Sequence, residues 1–181
     1  MSSKHFKDDD ALIKACIKGD EKAHKTLYDT YSPVMYAICL RYMKNEDDAK
    51  DALQEGFIRA FKKLSSFKFK GSFEGWLKRL FVNISIELLR KRKHFSVIDD
   101  HAQDKNLSVS QPTGHLDASK LLDVVNRLPD GYRTVFNMYV VDGYSHREIA
   151  KELGVSESTS KTQLFKARKQ LQAWLKDWKL D

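Results

Sequence analysis

The chain has 181 residues, 41% of them hydrophobic and 31% charged, and a net charge of +7. This composition can build one or two folded cores, and the basic excess favours a polyanionic partner. No window nears the roughly 18 apolar residues of a membrane span, and the polar stretch from Met1 to Asp10 lacks a signal-peptide core, so membrane insertion is excluded and a cytoplasmic protein is expected.

Cys16 and Cys39, the two cysteines, fall inside helical patterns and read as reduced core thiols. The six histidines are scattered without metal-ligand spacing. There is no phosphate-binding glycine loop and no nucleophile elbow, so no metal, no cofactor and no catalytic site is expected.

Gly and Pro are scarce and no alternating strand pattern appears, so the fold class expected is all-α. A short helix is predicted over residues 10–18, closed by Gly19. A second spans 20–43, with Ala23, Leu27, Tyr31, Val34, Ile38 and Tyr42 on one face and Pro33 at a potential kink. Asn45, with Asp48 three residues on, opens a third helix. Its stripe, Ala49, Ala52, Leu53, Phe57, Ala60, Phe61 and Leu64, repeats at three and four. Asp51, Gln54, Glu55 and Arg59 therefore face out on adjacent turns, as a soluble surface or as a polar docking face.

A loop with Gly71 leads to Ser72, which caps a fourth helix over 73–92 with Trp76, Leu77, Leu80, Ile84 and Leu88 inward. The loop interleaves Phe67, Phe69 and Phe73 with Lys68 and Lys70, ahead of Arg79 and the basic run 90–93. Aromatic faces beside cations suit unstacked single-stranded bases. Trp76 and Phe81 are assigned to the core, and the three loop phenylalanines to freer positions.

From His94 to His115 the helical pattern lapses. Asp99, Asp100, Asp104, Pro112 and Gly114 suit a flexible acidic linker. Helical spacing returns at Leu116, Leu121, Leu122, Val125 and Leu128; Pro129 opens a further helix carrying Val135, Phe136, Tyr139 and Val140, stopped at Gly143. Two helical domains, 1–95 and 116–181, joined by a linker at 96–115, are expected.

The tail is the most informative stretch. Ser145 and Glu148 form a capping box, Ile149, Ala150 and Leu153 face inward, and Gly154 can take the positive φ of a tight turn. Ser156 caps a second helix on which Lys161, Lys166, Arg168 and Lys169 surround Leu164, Ala167 and Leu171. A terminal basic helix alone is usually a solvated face. The capped partner helix and the glycine turn make it a helix-turn-helix that reads duplex DNA.

Two motif sets in order carry a family resemblance. The first is Asp51-x-x-Gln54-Glu55-x-Phe57, Phe73-x-x-Trp76-Leu77 and Val82-Asn83 with a basic helix end. The second is Leu128-Pro129, Tyr132-Arg133, Asp142-Gly143-Tyr144-Ser145, Glu148-Ile149-Ala150 and Leu164-Phe165-x-Ala167-Arg168. The chain resembles the bacterial RNA polymerase sigma factors of the extracytoplasmic-function (ECF) group. The resemblance implies two partners, core RNA polymerase, through its β′ clamp helices and β flap, and promoter DNA; it also makes an anti-sigma factor a candidate partner. It implies core-polymerase binding by Asp51, Gln54 and Glu55. It implies capture of a flipped minus-10 base by the loop 67–73, with Phe67, Lys68, Lys70, Ser72 and Phe73, together with Asn83. It implies minus-35 reading by Ser158, Thr159, Lys161, Thr162, Phe165, Lys166 and Arg168, and a linker threading the RNA exit path.

Two departures from the family pattern stand out. Ser158, Ser160 and Gln163 replace the Gly, Val and Arg of many relatives, and Ser85 and Glu87 occupy the neighbourhood of an acid that commonly follows the front-domain Asn. Two rivals are a free-standing helix-turn-helix regulator and a nucleic-acid enzyme using Asp47, Asp48, Asp51 and Glu55. The docking face and the loop argue against the first. Against the second, Asp47 and Asp48 sit where acids favour the helix dipole anyway.

Overall fold

The structure is a computed structural model that describes residues 3–91 and 118–176, with side chains for 9–91 and 121–176. The expected linker therefore lies outside the described residues. Every regular element among them is helical, and the chain divides into two units, Met1–Leu89 and Arg90–Asp181.

In the first unit, α1 covers Ser3–Ile17 and α2 covers Glu21–Met43. α1 starts well before the expected residue 10, since no Gly or Pro interrupts the preceding segment. Gly19, at φ 85°, turns the chain, and Asp20 accepts the Lys22 and Ala23 amides at 2.8 and 3.0 Å to cap α2. The Tyr31 hydroxyl donates to Asp9 at 2.8 Å, tying α2 to α1. The buried row of α2 steps by four through Leu27, Tyr31 and Met35, then reaches Ile38, Cys39 and Tyr42. Val34, expected inward, lies off that row and is 41% exposed. The helix continues through Pro33.

α3 covers Glu46–Lys63, with Asn45 accepting the Asp48 amide at 2.9 Å, and passes into a short 3-10 turn at Leu64–Ser66. α4 covers Phe73–Arg90. The Ser72 hydroxyl accepts the Gly75 amide at 3.2 Å, the expected cap. The α3–α4 contact is built on an absent side chain: a Cβ at Gly56 would overlap the Phe81 ring. Phe57 meets the same ring edge-on, with centroids 5.2 Å apart. Of the positions expected inward on α4, Leu77 and Ile84 are buried, whereas Trp76, Leu80 and Leu88 are only partly covered. Phe81, Val82, Ile86 and Leu89 complete the row.

Both cysteines are free and buried. Burial pushes the Cys39 thiol up to about 12, with the neighbouring Ser85 hydroxyl opposing the shift. Burial, then Asp20, raises Cys16. Both therefore stay thiols at neutral pH, as expected of core cysteines.

The second unit contains α5 (Ala118–Asn126), α6 (Asp130–Phe136), a π-helical stretch (Asn137–Val141), α7 (His146–Leu153) and α8 (Glu157–Leu175). One core cluster joins Val124, Val125 and Leu128 to Ala167 and Leu171, with Tyr132, Phe136, Trp174 and Leu175 against it. Within α5, Val124 and Val125 are buried, while Leu121 and Leu122, both at the expected helical spacing, are 41% and 46% exposed. The π stretch closes with Asp142 donating to Asn137 at 2.9 Å, and Tyr144 to Met138 at 2.9 Å. The extra residue per turn rotates the helix face: Met138 is buried, while Val140, one of the apolar positions of the expected helix, stands 48% exposed beside Val141. Gly143, at φ 75°, then stops the segment.

Candidate polymerase and nucleic-acid interfaces

Burial of Ala49, Ala52, Leu53, Gly56, Phe57 and Ala60 fixes the rotation of α3. Asp51 and Gln54 are consequently exposed and Glu55 is half-exposed. Arg59 organises this face. Its Nε donates to Glu55 at 2.6 Å, and its Nη1 and Nη2 donate to Glu87 of α4 at 2.5 and 3.2 Å. These two carboxylates, Glu87 first, raise the guanidinium further above its ordinary value. Glu55 is therefore presented in one orientation. Of the two residues noted after Asn83, Glu87 carries this bridge, and Ser85 is fully buried against Cys39. Ile58, which sequence reasoning missed, is 50% exposed one turn beyond Gln54. Its spacing, i+4 from Gln54 and i+7 from Asp51, was the available signal.

The loop differs from expectation at two of its aromatics. Phe67 and Phe73 are only 6% and 4% exposed. Phe67 lies 5.3 Å from Phe73 and 5.6 Å from Trp76, Phe73 stacks on Trp76 at 5.6 Å, and Tyr31 meets Phe73 at 5.3 Å. These rings bury one another, which is why neither phenylalanine is free. They pin the loop while Lys68, Phe69, Lys70, Gly71 and Ser72 stay exposed. Phe69 takes a positive φ of 53°, and Lys14 sits 5.4 Å from its ring centroid. Asn83 is exposed on α4, seven residues beyond Trp76, hence on the same face about 10 Å along the axis.

The helix-turn-helix forms as expected. Ser145 accepts the Glu148 amide at 3.2 Å, and Glu148 accepts the Ser145 amide at 2.9 Å. Gly154 takes φ 68° and returns its amide to Ala150, and Ser156 accepts the Thr159 amide at 3.0 Å. On α8, Ser160, Gln163, Leu164, Ala167 and Leu171 are buried. Of the three substituted recognition-helix positions, Ser160 and Gln163 thus lie on the packing side. Ser158, Lys161, Thr162, Phe165 and Arg168 are exposed, and Thr159 and Lys166 are half-exposed. Phe165, at 67% exposure, is an apolar ring among polar neighbours, a chemistry suited to thymine methyl groups.

Behind this face lies a group that sequence reasoning did not single out. The Tyr139 and His146 rings stack at 4.4 Å with an interplanar angle of 23°. His146 Nδ1 lies 2.9 Å from Ser160 Oγ, and the Arg168 guanidinium lies 5.8 Å from the Tyr139 centroid. Burial lowers the His146 pKa, helped by Lys161 and Arg168 and opposed by Glu157.

Residues 27–95 match sigma-70 region 2, and residues 118–171 match sigma-70 region 4. The chain is 30% identical, over 91% of its length, to the ECF RNA polymerase sigma factor SigW of Bacillus subtilis, of which it covers 95%. It is 25% identical, over 91% of its length, to the ECF RNA polymerase sigma-E factor of Haemophilus influenzae, of which it covers 93%. The protein is thus a sigma-70-type factor. Within that class it belongs to the ECF group of RNA polymerase sigma factors. The fold is similar to that of the sigma factor RpoE from Bartonella quintana, with a TM-score of 0.55 at 23% identity, covering 84% of this chain and 96% of that one. It is also similar to CnrH, with a TM-score of 0.51 at 22% identity, covering 92% and 96%.

Proposed function

We propose that this chain binds core RNA polymerase, brings it to promoters with two separated elements and promotes strand opening, with no catalysis of its own. The observation that carries this reading is the chain order of two chemically different faces: a polar face on α3 with an aromatic-pinned basic loop, then a helix-turn-helix. Asp51, Gln54 and Glu55 dock the β′ clamp helices. Lys68, Lys70, Ser72 and Asn83 hold the minus-10 single strand, with Phe67 and Phe73 shaping the loop from beneath. Ser158, Thr159, Lys161, Thr162, Phe165, Lys166 and Arg168 meet the minus-35 duplex. Residues 1–95 and 116–181 carry these roles, and 96–115 joins them along the RNA exit path, with the β flap as a further polymerase contact.

Such a protein works in the cytoplasm. Among the described residues no helix is long and apolar enough to cross a membrane. The Bartonella quintana factor was solved with the anti-sigma factor NepR, and CnrH with the cytosolic domain of CnrY; an inhibitory protein partner is therefore a candidate for this chain too. Run-off transcription with purified core polymerase tests the whole reading. Start-site-specific transcripts that require this chain are expected. Duplex binding by the free chain without any polymerase-dependent transcript would favour a free-standing regulator and overturn it.

A further inference from the structure

We propose that the Tyr139–His146 ring pair is a positioning device for Arg168, holding that guanidinium where α8 meets the DNA backbone. This rests on the reading of α8 as the duplex-binding helix.

Arg168 is exposed on α8 and, free in solvent, would sample many rotamers at an entropic cost on binding. Instead it lies 5.8 Å from the Tyr139 ring centroid, within the range of a cation–π contact. The other face of the arrangement is equally tied down. Tyr139 stacks on His146 at 4.4 Å, and His146 Nδ1 reaches Ser160 Oγ at 2.9 Å. Ser160 is fully buried on α8 itself, two turns before Arg168. The chain of contacts thus leaves α8 at Ser160, passes through α7 and the π stretch, and returns to α8 at Arg168. It spans three elements and fixes one cation relative to the helix that carries it. The π stretch matters here, because its additional residue per turn leaves Tyr139 half-covered while burying Met138.

A cation held in its bound geometry loses less freedom on binding than one that must be ordered. The ring pair therefore acts through Arg168, and its removal should matter only while Arg168 is present. The test measures closed-complex formation on a promoter duplex by holoenzyme assembled with each variant, as a function of salt. Arg168→Ala should lower the salt slope by about one unit. Tyr139→Leu should weaken binding roughly two- to five-fold, the range of an exposed cation–π contact, and should add nothing in the Arg168→Ala background. Tyr139→Phe keeps the ring and should bind as the parent does; as the milder change, it also separates positioning from loss of fold. An equal loss from Tyr139→Leu with and without Arg168, or no loss at all, would overturn the proposal. Lys161→Ala separates the two levels. If Lys161→Ala weakens binding while the ring variants do not, only the ring proposal fails; if neither does, the assignment of α8 to duplex DNA fails with it.

Discussion

At position 56 the chain has no Cβ because the Phe81 ring fills that space. A helix-interior glycine costs about 1 kcal/mol relative to alanine, so its presence here reflects the close approach of α3 and α4. Gly56→Ala gains helix propensity but forces the ring to move, and overpacking of this kind costs about 1–3 kcal/mol. A net loss of stability is expected in urea unfolding of the full chain, and an unchanged or raised midpoint would show that the ring yields easily. On the outer side of the same helix, Gln54→Ala combined with Glu55→Ala should leave the helical circular dichroism intact. It should weaken core-polymerase affinity by about 1.5–3 kcal/mol, the range for losing hydrogen bonds to a charged group. Equal affinity in a folded double variant would remove these residues from the interface. The outward placement of Asp51, Gln54 and Glu55 was legible from the buried stripe. The grip of Arg59 on both Glu55 and Glu87 was not, because Glu87 lies 28 residues away along the chain. Burial of Phe73 was illegible for the same reason: Tyr31, which meets its ring, comes from α2, far back along the chain.

At the scale of elements, helix ends governed by neighbouring residues could be read directly. Asn45, Ser145 and Ser156 all accept the amides that their spacing promised. The π stretch could not be read, since its turn closes on amides of Asp142 and Tyr144 beyond any helical period. Its consequence for α7 is testable by pH. His146 faces Tyr139 from the π stretch, and Glu157, Lys161 and Arg168 from α8. Its pKa lies below the ordinary 6.5, so the unfolded chain takes up the proton more readily. The stabilisation is complete above about pH 6.5 and declines as pH falls below that value. His146→Gln should flatten this part of the thermal-stability profile. A parent profile that rises on acidification from pH 7 to 5.5 would contradict the assignment.

On the proposed reading, the molecule as a whole separates two kinds of DNA chemistry into two units, with single-strand capture assigned to the loop and Asn83 and duplex reading assigned to α8. Asn83→Ala should form closed complexes normally and fail at opening, whereas Lys161→Ala should weaken the closed complex and lower its salt slope by about one unit. Footprinting and permanganate reactivity on one promoter distinguish these steps, and identical defects at the same step would refute the division of labour. All-helical architecture and two units were legible from periodicity and from the lapse after residue 93. The rotation of individual faces was less so, as Val34, Leu121 and Val140 show.

Within α8 the buried positions, Ser160, Gln163, Leu164, Ala167 and Leu171, share no member with the solvent-facing set of Lys161, Thr162, Phe165 and Arg168. Two vocabularies therefore run along one helix without a common letter. One is read by the protein's own core and the other by whatever lies outside it. If α8 reads DNA as proposed, a lineage could rewrite its target sequence through Lys161, Thr162 and Phe165 while the packing contacts of the first set and the Arg168–Tyr139 contact stay fixed. On the same reading, an engineer could graft a new specificity onto these exposed positions without redesigning the domain beneath.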